Sequence, residues 1–153
     1  MKRTACPSLL LSSTLVLGFG WAGMARAEST HTVEAPEVAL TTGKAGSATV
    51  TVLGRNGWHV NEEAPITLTI NAPAGVAIAK AKLSRTDLAE SKPERARFDV
   101  QVTAEKAGRQ PVQAEARFVM CQESACKPVK ETVTLMLEVS TDAAAKGRSK
   151  KAR

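Results

Sequence analysis

Hydrophobic and polar residues alternate along most of the chain after residue 28, which is the period of half-buried β-strands and not of amphipathic helices. In Arg97–Thr103, the side chains of Phe98, Val100 and Val102 are predicted to share one face. Four further runs show the same alternation, and three shorter or less regular pieces lie between them. The regular runs are SATVTVL, PITLTI, PVQAEARFVM and ETVTLMLEV, and the irregular pieces are HTVEAPEVAL, GWHV and VAIAKAKL.

These segments are short and are separated by turn signals such as GRNG and NAPAG. The pattern predicts an all-β fold, an immunoglobulin-like antiparallel β-sandwich of seven to eight strands. The cysteine pair that joins the two sheets in many immunoglobulin domains is absent. One stretch, Ser84–Glu94, is polar and contains a proline, and we predict a loop there that is large enough to fold over a neighbouring feature as a flap.

The two ends of the chain differ from this central part. Lys2 and Arg3 precede the apolar run Leu9–Trp21, and Ala25–Ala27 supplies small residues for cleavage, which is the pattern of a secretory signal peptide over residues 1–27. Cys6 precedes the apolar run, a position that argues against a lipoprotein. We therefore predict a periplasmic or secreted protein with no membrane span in the mature chain. Residues 28–140 form one sandwich domain in this interpretation, and residues 141–153 form a disordered basic tail.

The formal charge of +6 comes mostly from the two ends of the chain. Residues 28–140 contain thirteen Lys and Arg against fourteen Asp and Glu, and the chain has no Tyr. A nucleic-acid partner is therefore not expected, because such surfaces combine basic patches with aromatic side chains for stacking. No G-x-S-x-G, P-loop or H-E-x-x-H motif is present, so the sequence gives no sign of a hydrolase or nucleotide site.

The stretch RFVMCQESACKPV contains Cys121 and Cys126, which are the two cysteines expected in the mature chain. They flank a predicted hairpin loop, QESA, whose closing positions lie opposite each other, so a Cys121–Cys126 disulfide is the default expectation for an exported domain. A closed loop of about six residues contributes roughly 2 kcal/mol in the chain-entropy model.

The spacing of these cysteines leaves two interpretations open. The disulfide is a structural staple in one, and in the other it is an exposed bond that exchanges with the thiolate of another protein. Metal binding is disfavoured, because a tetrahedral site wants four ligands and only His31 and His59 could join the two sulfurs.

The segments GWHVN, PITLTINAPAGV, RFDVQVTAEKAG and RFVMCQESACKPV, in this order, resemble the amino-terminal domain family of the thiol:disulfide interchange protein DsbD, or disulfide bond corrector family. The resemblance covers about Val38 to Val139 and depends most on the cysteine pair followed by Pro128. It implies a periplasmic immunoglobulin-like sandwich with Cys121 and Cys126 as the catalytic redox pair and with no cofactor. It also implies that Cys126 attacks, or is attacked, first.

The sequence differs from DsbD itself in three ways. DsbD continues into a membrane region after this domain, and because no such region follows the sandwich in this sequence, we expect the electrons to come from a separate protein. The flap has no aromatic residue, and we predict Leu88 in the cap role with Asp87 nearby, while His59 is a candidate to modulate the sulfurs. The cysteine spacing is one residue shorter than in DsbD and fits the stand-alone members better.

The resulting hypothesis is a thiol-disulfide exchange domain with oxidoreductase-type activity. It would relay electrons between a thioredoxin-like or membrane electron-transfer protein and oxidised periplasmic client proteins. The alternative is a non-catalytic exported binding module in which the disulfide only stabilises the hairpin. The ordinary alternative to a functional role is packing in the core for Trp58 and a position facing solvent for His59.

Overall fold

The computed structural model describes residues 28–141, so the predicted signal peptide and nearly all of the predicted basic tail lie outside the described residues. Eleven strands and one 3₁₀ turn make up this part of the chain. In chain order they are β1 (His31–Glu34), β2 (Val38–Thr41), β3 (Ala45–Gly54), β4 (His59–Val60), β5 (Thr67–Asn71), β6 (Val76–Ile78), β7 (Lys82–Ser84), the 3₁₀ turn (Arg85–Asp87), β8 (Leu88–Lys92), β9 (Arg95–Ala104), β10 (Gly108–Gln122) and β11 (Ala125–Ser140).

The strands form two sheets. The five-stranded sheet has the order β1-β3-β9-β6, with β8 also paired to β9. The six-stranded sheet has the order β2-β11-β10-β5-β7, with β4 also paired to β10. All pairs are antiparallel except β2 with β11, which is parallel. The prediction of an immunoglobulin-like β-sandwich is therefore confirmed. No helix within residues 28–141 is long and apolar enough to span a membrane.

The core lies between the two sheets and follows the predicted alternation. Phe98, Val100 and Val102 on β9 are all buried, and the residues between them are more exposed. On β10 the residues buried in the core are those at even positions from Val112 to Met120, and on β11 they are Leu135, Leu137 and Val139. Burial of these apolar side chains contributes roughly 25 cal/mol per Å² of area removed from water.

The structure has eleven strands and not the seven to eight predicted, because two predicted strands change sheet midway and β8 lies in a stretch predicted as a loop. HTVEAPEVAL divides around Pro36 into β1 in one sheet and β2 in the other. VAIAKAKL divides in the same way into β6 and β7. Proline lacks a backbone N–H, so a strand ladder readily ends where Pro36 lies.

The prediction of a loop at Ser84–Glu94 was wrong. This stretch contains the 3₁₀ turn and β8, which pairs with β9 on the edge of the five-stranded sheet. Its polar composition reflects a strand with little burial, and Lys92 and Glu90 form an ion pair on it. Because the segment is fixed in a sheet, it does not form a flap.

Candidate functional site

The β10–β11 hairpin ends in the disulfide predicted from the sequence. Cys121 lies directly opposite Cys126, their sulfurs are 1.98 Å apart and their Cα atoms are 4.1 Å apart. The strands continue one residue beyond the cysteines to Gln122 and Ala125, so the connecting turn is shorter than the predicted QESA loop. The disulfide therefore lies at the tip of the two longest strands.

The turn itself has two central residues, Glu123 and Ser124. Tight two-residue hairpin turns favour positive φ at their first central residue, because that geometry matches the twist of the flanking strands. Neither Glu123 nor Ser124 has a positive φ, since Asn56 is the only non-glycine residue with one among residues 28–141. This turn is therefore not of the favoured kind. The disulfide therefore holds together a hairpin end that the turn alone favours poorly.

The two cysteine residues differ in their exposure to solvent. The Cys121 residue is 5% exposed, whereas Cys126 is exposed. Cys121 is out of phase with the core positions of β10, so its side chain is on the outer face of the sheet and is buried there beside β4. A reagent from solution therefore reaches Cys126 more easily than Cys121.

A tight turn brings β4 to this position. Asn56 and Gly57 have φ of 52° and 78°, and the Trp58 N–H donates to the Arg55 carbonyl at 2.9 Å, so the GRNG segment forms the turn that its sequence predicts. Beyond it, the Val60 N–H donates to the Pro93 carbonyl at 2.7 Å. The end of β4 is thus fixed between the β8–β9 turn and β10.

Asn61 contacts the disulfide directly. Its Nδ2 amide donates to Cys121 Sγ at 3.4 Å, and its Oδ1 accepts hydrogen bonds from the backbone N–H groups of Glu63 and Ala64. Its own N–H donates to the Val119 carbonyl at 2.9 Å. The amide is therefore held with its donor toward the sulfur, where a hydrogen bond favours a thiolate over a neutral or bonded sulfur.

Arg85 secures the same loop. One of its guanidinium nitrogens donates to the Asn61 carbonyl at 3.0 Å and also to the Ala64 carbonyl. Neither Asn61 nor Arg85 was predicted from the sequence to have a role. Asn61 follows a strand and precedes a polar turn, a place where asparagine commonly bonds to the backbone two residues on, but this signal does not reveal the distant sulfur.

His59 was predicted as a modulating residue, and the structure places it on β4 directly opposite Cys121. Its neighbour Trp58 is half-buried and packs against the core, which is the ordinary role considered for it. The Lys127 ammonium lies 5.0 Å from the Trp58 ring centroid, in cation–π range. The hairpin tip therefore has a cation next to Cys126 in sequence.

Asp87 and Leu88 lie in a different environment from the one predicted. Leu88 is on β8, opposite Phe98 in the sheet without the cysteines, and packs against the core. Asp87 forms an ion pair with Lys80 at 2.6 Å, and that hydrogen bond holds the pKa of Asp87 below its ordinary value. Their predicted cap role stays a prediction, and both have structural contacts of their own.

Residues 28–141 contain no cluster of three or more His, Cys, Asp or Glu side chains that could hold a metal ion. His31, one of the two histidines considered as ligands, pairs with Glu131 at 3.1 Å and lies edge-on to the Phe118 ring.

Two grooves flank the disulfide end. One of about 610 Å³ runs along Gly54–Glu63 and the Pro93–Glu94 turn. The other, of about 420 Å³, has an apolar floor that includes Pro65, Val119 and Pro128, with Arg117 and Lys130 at its sides. These two cations both pair with Glu115 and hold the pKa of that carboxyl below its ordinary value, the hydrogen bond from Lys130 being the larger cause.

The role of the Asn61 amide leads to a prediction. Asn61→Asp keeps an oxygen for the Glu63 and Ala64 N–H groups, but it removes the donor and places a negative charge beside Cys121. We expect the disulfide reduction potential to become more negative by about 30 mV or more, because a lost hydrogen bond of about 1.4 kcal/mol to the thiolate corresponds to that shift. Equilibration with a glutathione series, followed by thiol alkylation, measures it.

Asn61→Ala serves as the comparison for this variant, because it removes the donor and the turn contacts together. We expect both variants to have a more negative potential, and only Asn61→Ala to lose thermal stability as well. An unchanged potential in Asn61→Asp would show that the amide does not act on the sulfur.

Comparison with known proteins gives no family assignment. No protein-family model matches the chain, and no curated protein matches it. Solved structures that match include domains 4 and 5 of the S-layer protein SbsC, with 13% identity and a TM-score of 0.38 over 72% of this chain and 51% of that one, so the chain spans about half of that fragment. AggA, the major subunit of aggregative adherence fimbriae type I from Escherichia coli, matches with 12% identity and a TM-score of 0.39 over 72% of this chain and 94% of that one. The PapD-like domain 7 of human CEP192 matches with 10% identity and a TM-score of 0.39 over 88% of this chain and 97% of that one.

Proposed function

We propose that this protein is a thiol-disulfide exchange domain of the periplasm that relays electrons through Cys121 and Cys126. The observation that supports this most is the unequal disulfide: Cys126 is exposed, and Cys121 is buried with the Asn61 amide on its sulfur. An accessible sulfur suits attack by another thiolate, and a donor at the other sulfur stabilises the leaving thiolate.

In the relay, the Cys126 thiolate of the reduced domain attacks a sulfur of the client disulfide, and a mixed disulfide forms as the client bond breaks. The Cys121 thiolate then attacks Cys126 Sγ, the mixed bond breaks, and the client leaves with two thiols after taking up protons from solvent. The domain is left oxidised, as in this structure. A thioredoxin-like dithiol, or a membrane electron-transfer protein, returns two electrons by the same steps in reverse.

The resemblance of four segments to the DsbD amino-terminal family supports the same proposal. A disulfide also suits an oxidising compartment, which agrees with the signal peptide predicted at residues 1–27. The chemistry at the hairpin tip is the same whichever protein supplies the electrons.

The reduction potential of residues 28–153 tests the proposal. We expect a value less negative than about −300 mV, because structural disulfides of exported proteins typically lie below that potential. A value below it would contradict the relay.

The second candidate is the non-catalytic binding module, favoured by the unfavourable Glu123–Ser124 turn that the disulfide closes and by the two flanking grooves. Thermal unfolding distinguishes this module from the relay. If the disulfide acts only as a staple, its reduction should lower stability by roughly 2 kcal/mol and the bond should resist reduction by glutathione.

A further inference from the structure

The strand that carries Cys126 is half uncovered. β11 pairs with β10 from Ala125 to Val139, but on its other side it pairs with β2 only at Leu137–Ser140. Among residues 28–141, no strand pairs with that side of β11 between Cys126 and Met136. Cys126, Pro128, Lys130, Thr132 and Thr134 are all exposed.

The register of the hairpin shows which backbone groups face this open edge. The Val119 carbonyl accepts from Asn61, on the side of β10 away from β11, so Val119 and Pro128 are a non-hydrogen-bonded pair. Because the pattern alternates every two residues, Cys126, Lys130 and Thr132 are in the same phase. Their N–H and C=O groups, and the Pro128 carbonyl, therefore point outward from β11.

The position of the disulfide gives this edge a chemical role. A nucleophile attacks a disulfide sulfur along the S–S axis, from the side opposite the leaving sulfur. The bond bridges two directly opposed residues, so its axis runs across the strands from β10 to β11. The approach to Cys121 is on the side of β4, whereas the approach to Cys126 crosses the open edge of β11.

We propose that client proteins dock as an extended, cysteine-bearing segment that adds antiparallel to β11 along Cys126–Thr132. The inference rests on the proposed exchange function and names the partner of the same site. A strand added there pairs with the outward backbone groups and brings its cysteine opposite Cys126, at a separation that permits a mixed disulfide.

The side chains of the edge define which segments fit. The client residue two positions before its cysteine lies opposite Pro128, beside the apolar groove floored by Pro65 and Val119. The residue four positions before it lies opposite Lys130, whose ammonium pairs with Glu115 on β10 at 3.0 Å but whose side chain is 60% exposed and so stays within reach of a client carboxylate. We therefore expect an apolar residue and an acidic residue at these two positions.

This edge is also protected against indiscriminate pairing. Exposed lysines and a proline are common means of preventing edge-to-edge association of sheets, and Lys127, Pro128 and Lys130 supply both. Pro128 offers no N–H, so one hydrogen bond of the added strand is missing. The docking is consequently short and reversible, as a relay requires.

A peptide probe tests the docking. The nonapeptide Thr-Val-Thr-Glu-Thr-Val-Thr-Cys-Thr, with its cysteine activated as the mixed disulfide of thionitrobenzoate, is mixed with the Cys121→Ser domain. The Cys126 thiolate attacks the peptide sulfur, and the displaced thionitrobenzoate is followed by its absorbance. We expect the peptide to react about tenfold faster than activated N-acetylcysteine amide, which is about the effect of two net hydrogen bonds.

N-methylation provides the matched peptide control. Methyl groups on the second and fourth residues block N–H groups that face β11, so the advantage over N-acetylcysteine amide should be lost. Methyl groups on the third and fifth residues block N–H groups that face away from β11, so the rate advantage should remain. Replacing the glutamate with lysine should slow the reaction at low salt, because it opposes Lys130.

The domain offers a matched pair of its own. Thr132→Pro removes one N–H that points outward from β11, as Pro128 already lacks one, and should slow the reaction of the peptide about fivefold. Thr132→Ala keeps this N–H and should leave the reaction rate unchanged. Equal rates for the two methylated peptides would overturn the docking while leaving exchange at Cys126 intact. If activated N-acetylcysteine amide also fails to react with a folded domain, the exchange function itself is contradicted.

Discussion

Replacing Cys126 with serine is expected to abolish disulfide exchange, whereas replacing Cys121 is expected to stop it halfway. In the first variant the only thiol left within residues 28–141 is that of the buried Cys121, and β4 lies on the side from which a client disulfide would approach it. In the second the exposed Cys126 thiol still attacks a client disulfide, but no neighbouring thiol resolves the product. We expect the exchange rate of Cys126→Ser to fall by at least about 10³-fold, since the attacking nucleophile is lost.

The two variants differ in what they accumulate, and this difference is the measurement. After incubation with a periplasmic extract and acid quenching, non-reducing electrophoresis should show mixed disulfides for Cys121→Ser and none for Cys126→Ser. Ser124→Ala, at the same hairpin tip, is the matched control and should behave as the unchanged protein. Equal trapping by both cysteine variants would contradict the assignment of Cys126 as the attacking sulfur.

The regular part of the fold was predictable because its signal is local. β9 alternates apolar and polar residues over its ten positions and β10 does so over the seven from Val112 to Phe118, and burial in the structure follows that alternation. The cysteine pairing was equally local, since a hairpin places nearby residues opposite each other. Both predictions needed only the chain's own periodicity.

The surroundings of the disulfide were not predictable in the same way. β4 has two residues, and its partner Cys121 lies about sixty positions further along the chain, so no sequence pattern indicates that pairing. The Asn61 contact with Cys121 depends on the same long-range pairing. His59 was included as a candidate because of its chemistry, but its place opposite the buried sulfur required the sheet.

The misread stretch Ser84–Glu94 has a related cause. β8 contributes one half-buried apolar side chain, Leu88, to the core, so its hydrophobic signal is weak. It is held by pairing with β9, and backbone hydrogen bonds leave no trace in composition. Polar edge strands of this kind resemble loops in sequence, which explains both the extra strand and the missing flap.

Gly54→Ala is expected to disturb the fold and the site together. Gly54 ends β3 just before the turn to β4, and a Cβ there would overlap the Trp58 carbonyl. The overlap is with backbone, which cannot rotate away, so we expect a loss of about 2 kcal/mol or more of unfolding free energy and a fall in Tm of roughly 10 °C. Because β4 must shift, Cys121 in the reduced variant should also be alkylated faster.

Gly57→Ala is the matched control for this variant, since it lies in the same turn. Gly57 has a φ of 78° and no atom within 4 Å of an added Cβ, so alanine there meets backbone strain of about 1 kcal/mol without any overlap. Thermal unfolding should therefore rank Gly54→Ala below Gly57→Ala, and only Gly54→Ala should expose Cys121 to alkylation. Equal stability of the two variants would show that the β3–β4 approach does not hold β4 over the sulfur. Faster alkylation of Cys121 in Gly57→Ala alone would show that the turn, and not the close approach at Gly54, holds β4 over the sulfur.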